Sequence, residues 1–277
     1  MAITAQEVNK LRQMTGAGMM DCKKALVESD GDFDKAIEIL RKKGQKVSAN
    51  RADRQTNEGS VFVQTSDDGT TAVVVALGCE TDFVAKNDDF QALGDEILNI
   101  AFAVRPGSVD ELKSQKSGNL TISEIITELV GKIGEKIDIV ALEVLESEQV
   151  VPYIHAGSKL AVLVALKGTG GNDVAEAGKD VGMQIAAMRP VAVDKDGVDA
   201  KVIEQELKIG REQAIAEGKP EQIIEKIAEG KLNKFFKENT LLNQAFVKDN
   251  SMTVGKYLDS VNRGLTVDSF KRVSVSQ

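Results

Sequence analysis

The chain has 277 residues, 42% of them hydrophobic, which is enough for more than one buried core. Its 35 lysines and arginines against 43 aspartates and glutamates give a net charge of −8, which argues against nonspecific phosphate binding by the chain as a whole. Two cysteines, Cys22 and Cys79, are too few for a disulfide framework, no apolar run has the length of a membrane span, and the N-terminus lacks a signal-peptide pattern, so a cytoplasmic protein is expected.

Thr4 and Glu7 have capping-box spacing, and Ile3 and Val8 that of a hydrophobic staple, so a helix begins here. Thr15-Gly16-Ala17-Gly18 breaks it, and Met19 to Leu26 starts a second. A third has Asp32 as its cap, Phe33, Ala36, Ile37 and Leu40 at helical spacing, and Gly44 as its expected end. Residues 1–45 therefore read as a compact three-helix module. Neighbouring helical residues point about 100° apart, so Met19 and Met20 cannot both face one small core, and one is expected at the surface. The module and the segment after it are basic: residues 1–54 hold 11 basic and 8 acidic side chains. Arg41 to Arg54 has six of those cations and almost no apolar periodicity. With no aromatic residue interleaved for base stacking, residues 46–57 read as a solvated linker and not as a nucleic-acid site.

The middle of the chain is a repeat. Thr71-Ala72-Val73-Val74-Val75-Ala76-Leu77 is echoed by Leu160-Ala161-Val162-Leu163-Val164-Ala165-Leu166, and Ala103-Val104-Arg105-Pro106 by Ala187-Met188-Arg189-Pro190. The offset is 89 at Ala72 and 84 at Pro106, so copy one carries five extra residues, which fall around Thr81 to Ala85. An insertion at a strand-to-helix connection is a place where function is carried. Copy one, residues 58–145, opens with the strands Ser60 to Gln64 and Thr70 to Gly78 joined by the turn Ser66 to Gly69. Asp89 is placed to cap a helix on which Phe90, Leu93, Ile97, Ala101 and Val104 keep helical spacing. Copy two, residues 146–198, repeats the plan with Asp173, Val174, Ala177, Val181, Ile185 and Met188, and Gly178 answers Gly94. Each copy is a β-hairpin with a helix laid on it, and Ile122 to Ile139 is expected to be a helical connector. The fold class is α+β.

Copy two also contains Gly168-Thr169-Gly170-Gly171-Asn172-Asp173 between a strand and a helix. As a phosphate loop it fails, because Asp173 takes the last glycine position and puts a carboxylate at the helix N-terminus. His155 is the only histidine, which excludes a histidine-based metal cluster, and a single histidine at a strand end reads as a structural or contact residue. No cofactor and no catalytic machinery are expected. Beyond Asp199 two helical stretches flank Gly218-Lys219-Pro220, giving a projecting helical hairpin over residues 199–238. Residues 239–277 form a short C-terminal module with a helix near Thr253 to Val261 and a possible edge strand at Phe270 to Val275.

Two long motifs, Met14-Thr15-Gly16-Ala17-Gly18-Met19-Met20-Asp21-Cys22-Lys23-Lys24-Ala25-Leu26 and Thr81-Asp82-Phe83-Val84-Ala85, resemble the N-terminal and central signatures of the bacterial elongation factor Ts family. Tyr153-Ile154-His155-Ala156-Gly157 and Thr253-Val254-Gly255 extend the resemblance along nearly the whole chain. Ser158 and Ala245 depart from the family pattern, which has glycine and proline there. The resemblance implies a three-helix module of the ubiquitin-associated type and a guanine-nucleotide exchange factor for elongation factor Tu, bound in its GDP and nucleotide-free states. It implies that Thr81, Asp82, Phe83 and Val84 disturb the partner's Mg²⁺ and phosphate site, with Phe83 as a wedge. Partner contacts are implied for Arg12, Met19, Met20, His155, Gly157, Val254, Gly255 and Leu258. No membrane, nucleic acid or small-molecule substrate is expected. Read from the residues alone, Phe83 tucked into the sheet–helix seam and Asp82 in a local turn bond remain open, as do a ubiquitin-associated-type adaptor using only residues 1–45 and, as the weaker reading, an enzyme using the Gly168 loop and His155.

Overall fold

The computed structural model describes residues 3–276. The N-terminal module is three helices, α1 (Ala5–Thr15), α2 (Met19–Glu28) and α3 (Phe33–Arg51). The capping box forms: the Thr4 amide donates to Glu7 Oε2 at 2.7 Å and the Glu7 amide donates to Thr4 Oγ1 at 3.3 Å. Gly16 then ends α1 in the left-handed region at φ 64°. Val8, Leu11, Cys22, Ala25, Leu26 and Ala36 make a small core, with Ile3 packed at its edge.

The third helix does not stop at Gly44. It runs to Arg51, so residues 46–51 are helix and not solvated linker. Gly44 sits buried against Gly131 of α7 (Ile122–Ile133), where a Cβ on Gly131 would lie 2.6 Å from the Gly44 Cα. The glycine serves a close backbone approach between two helices, a use that sequence does not distinguish from a cap. At the start of the basic run, Arg41 pairs with Glu128 on α7 at 2.8 Å.

Two three-stranded antiparallel sheets come next. One is β1 (Glu58–Thr65), β2 (Thr71–Cys79) and β5 (Ile137–Glu146), in the order β1-β2-β5; it carries α5 (Asp88–Val104). The other is β6 (Gln149–Ile154), β7 (Leu160–Lys167) and β10 (Thr266–Ser274), in the order β10-β7-β6; it carries α8 (Ala175–Met188). Gly94 and Gly178 play the same part in the two copies: a Cβ would meet the Phe62 ring at 2.0 Å or Val151 at 2.5 Å. Val73, Val75 and Leu77 face α5, while Ala72, Val74 and Ala76 share a core with Ala161, Leu163 and Ala165 of the second sheet. The sheets therefore cover each other's open faces, with a helix outside each.

Third strands complete each copy. Between α5 and β5 come a short helix α6 (Val109–Ser114), a small hairpin of β3 (Lys116–Ser117) and β4 (Leu120–Thr121), and α7. The expected helical connector ends early: Gly134 adopts φ 84° after Ile133, and Ile137 already belongs to β5. Asn87, not Asp89, caps α5, its Oδ1 accepting from the Asp89 amide at 2.9 Å.

The helical hairpin pairs α9 (Ala200–Ala216) with α10 (Glu221–Asn239), with Gly210, Ala214 and Ala228 buried between them. The chain returns through β8 (Ala245–Phe246), β9 (Asp249–Thr253) and α11 (Val254–Val261). Asp180 of α8 anchors this return, accepting from Tyr257 Oη at 2.8 Å and pairing with Lys248. Among the described residues no helix is long and apolar enough to cross a membrane.

The two glycine environments in α7 and α10 give opposite outcomes for one substitution. Gly131→Ala forces a Cβ against the Gly44 backbone and is expected to cost roughly 1–3 kcal/mol. Gly230→Ala enters open space on an exposed helix and is expected to add about 0.5–1 kcal/mol. Urea unfolding of the two variants beside the parent checks both signs.

Candidate functional site

The five-residue insertion is not an open loop. Thr81 leaves β2 in an extended conformation and caps a single helical turn, α4 (Asp82–Ala85), its Oγ1 accepting from the Val84 amide at 3.4 Å. Val84 and Ala85 fold inward and join the first core. Two residues facing inward on one turn leave the residue before them facing out, and Phe83 is 82% exposed. The reading in which its ring tucks into the seam is therefore set aside. Leaving a phenylalanine in water forgoes about 1.5–3 kcal/mol of burial.

The foot of the turn is held by charges. Arg51 Nη1, at the end of α3, lies 3.0 Å from both carboxylate oxygens of Glu80, and the Lys136 amide donates to Glu80 Oε1 at 2.7 Å. Burial works to raise the Glu80 pKa, but the Lys136 amide, the Arg51 charge and hydrogen bond and the Arg54 charge together hold it below the ordinary value. Beside it Glu135 takes the Thr81 amide at 3.1 Å and the Thr81 hydroxyl at 3.0 Å. The Cys79 thiol donates to the Thr81 carbonyl at 3.1 Å; burial, with Glu135 and Glu58 adding their charge, pushes its pKa up to about 12, so it stays protonated. Asp82 makes the local bond open to it, accepting from Lys86 Nζ at 2.9 Å, which lowers its pKa.

His155 lies in the exposed turn between β6 and β7, its Nδ1 3.0 Å from Tyr153 Oη. Gly157 holds φ 90° in that turn and Ser158 holds φ 53°. This turn is docked on the sheet edge that leads to Phe83: the Val61 amide donates to the Ser158 carbonyl at 2.7 Å, and Lys159 pairs with Glu58, the β-partner of Cys79. The insertion and the His155 turn therefore share one end of the core. Arg12, Met19 and Met20 are exposed on the separate N-terminal module.

Two expectations change here. Met19 and Met20 are both exposed, at 47% and 63%, because Cys22, Ala25 and Leu26 fill the core side of α2. Met14, on the last turn of α1, is also exposed, at 56%. Val254 and Leu258 are fully buried in the second core, so they cannot be surface contacts in this conformation. They hold α11 in place and leave its outer face to other residues, while Gly255 is half-buried against the Leu242 carbonyl.

In the glycine-rich turn of copy two, the first two amides are held by a carboxylate of the same chain. Gly168 and Thr169 both donate to Glu148 Oε2, at 2.9 and 3.1 Å, so a phosphate would have to displace a carboxylate of the same chain.

The family profile described as Elongation factor TS matches residues 80–277, beginning at the foot of the Phe83 turn. The chain is 62% identical to Elongation factor Ts of Amoebophilus asiaticus over 275 residues, 99% of each chain. It is 58% identical to Elongation factor Ts of Cytophaga hutchinsonii over 275 residues, again 99% of each. Against Elongation factor Ts of Porphyromonas gingivalis the identity is 47% over 277 residues, 100% of this chain and 99% of the other.

The depressed Glu80 pKa makes stability depend on pH in a defined direction. Unfolded, this carboxyl titrates near 4.5, and folded it titrates lower, so its contribution is complete above 4.5 and is lost as pH falls through the folded value. Between neutral pH and about pH 3, the parent is expected to lose more urea resistance than Glu80→Gln, which takes up no proton there. Midpoints measured across that range check this; parallel curves would contradict it.

Proposed function

The chain belongs to the elongation factor Ts family, and from that membership we propose that it is a guanine-nucleotide exchange factor. It binds elongation factor Tu and speeds release of GDP, without making or breaking a covalent bond. The observation that carries the proposal is Phe83, an 82% exposed ring on a turn whose foot is fixed by Glu80 and Glu135. A rigid turn presenting an apolar ring is suited to enter a partner's interior, since little order remains to be lost on binding.

In this reading Phe83 wedges between helices of the partner's GTP-binding domain, and Thr81, Asp82 and Val84 set its approach. The target is the Mg²⁺ and β-phosphate site. Mg²⁺ demands near-octahedral oxygen geometry, so a small displacement of its ligands weakens it sharply. The energy for that distortion comes from contacts made elsewhere, by Arg12, Met19 and Met20 on the module, by His155 and Gly157 at the core end, and by the outer face of α11. Flexible thioethers on a surface suit a partner groove. Reciprocity is then required: GDP must weaken binding of this chain by the same factor by which this chain weakens GDP.

Release of a fluorescent GDP from elongation factor Tu tests the division of labour. The intact chain should accelerate release. Phe83→Ala should lower the maximal rate roughly tenfold or more with little change in half-saturating concentration. Met19→Ala with Met20→Ala should raise the half-saturating concentration roughly tenfold and spare the maximal rate. No acceleration by the folded, intact chain would overturn the proposal and leave an adaptor acting through residues 1–45.

A further inference from the structure

The helix that continues through the supposed linker ends on the exchange turn. Arg51, in the last turn of α3, is 34% exposed at its side chain, and Glu80 is 17% exposed at its own, so their contact is partly shielded from water. Lys136 closes the same junction from the other side: its amide donates to Glu80, while its Nζ donates to the Ala52 and Arg54 carbonyls at 2.6 and 2.9 Å. These two carbonyls belong to the segment directly after α3. Glu135, the preceding residue, holds Thr81. Glu135 and Lys136 themselves come after α7, whose Gly131 is the contact point for Gly44 in the middle of α3. Helix α3 is thus fixed along its length to α7 and at its end to the residue two before α4.

We propose that Arg51 and Glu80 are positioning residues for nucleotide exchange, joining the N-terminal module and the Phe83 turn into one rigid unit and acting only through Phe83. This rests on the exchange-factor reading for its consequence, though the joint itself is a property of the free chain. The physical need is clear. The module grips the partner at one place and the ring distorts it at another, so a flexible connection would let the ring retreat instead of transmitting force. Charge-assisted hydrogen bonds with partly desolvated partners are suited to such a joint, being strong and directional. Arg51 uses a single nitrogen for both oxygens of Glu80, so the contact needs no two-nitrogen fork, and lysine keeps the charge on a stem one bond shorter.

The chain contains no tryptophan, so Phe83→Trp creates a single emitter on the turn. In that background, Arg51→Ala and Glu80→Gln are each expected to speed the local decay of fluorescence anisotropy in the free, full-length chain, and Arg51→Lys to restore it. With Phe83 present, Arg51→Ala and Glu80→Gln should lower the maximal GDP-release rate roughly fivefold or more while half-saturation stays within about twofold. A destabilised module would instead raise half-saturation, and that result would overturn the positioning role. Unchanged anisotropy decay would overturn the joint whatever the exchange assay gives. Faster decay with an unchanged maximal rate would keep the joint and overturn its role in exchange. Failure of the parent chain to accelerate release would overturn the exchange-factor reading and the positioning role with it, while the anisotropy still decides the joint.

Discussion

Every residue of β2 is buried, and the rest of the molecule is arranged around that strand. A strand with water on neither face cannot slip: a shift of one residue would carry Val73, Val75 and Leu77 from the α5 side into the alanine-rich seam between the sheets. The small side chains at Ala72, Ala76, Ala161 and Ala165 are what lets two sheets share that seam. Register fixed along β2 also fixes the point where the chain leaves it. Cys79, fully buried and pinned to the Thr81 carbonyl, is that point, so the residues after it are delivered at a set place and angle.

The turn beyond Cys79 gives one side to the core and the other to water. Val84 and Ala85 use its inward side for the core, and Phe83 is left to water. Burial of the ring would favour the isolated chain, so the exposed position must be enforced by its neighbours. Enforcement is electrostatic and local. Two carboxylates, Glu80 and Glu135, meet five hydrogen-bond donors or cations at the foot of the turn: the Arg51 guanidinium, the Lys136 amide, the Thr81 amide and hydroxyl, and the charge of Arg54. Partial burial strengthens these bonds and makes any unpaired member costly, so the arrangement resists being half-made.

Much of this was legible in the sequence. The repeat was visible because β2 and β7 carry nearly the same apolar string, and the capping box at Thr4 because its spacing is local. Phe83 stood out because an insertion in one copy broke an otherwise shared plan. Where the reading failed, the deciding partner was distant in sequence. Gly44 looked like a helix end because its real reason, Gly131, lies on another helix. Val254 and Leu258 looked like contacts because the motif does not say which face of α11 meets Phe246 and Ile185 in the core.

The two copies solve one problem in two ways. At the end of the central strand, backbone amides lose their sheet partners and must find acceptors. In copy two, Gly168 and Thr169 give theirs to Glu148, and the chain turns directly into α8. In copy one, Thr81 gives its amide to Glu135, and the extra residues form α4 before α5 begins. The carboxylate therefore meets a structural need common to both copies, and a strand-end acceptor alone does not explain Phe83. The difference lies in Glu80, which faces out of the core toward Arg51 and has the N-terminal module as its partner. A duplicated fold supplied the strand end; the contact with α3 is what gave one of the two ends a direction.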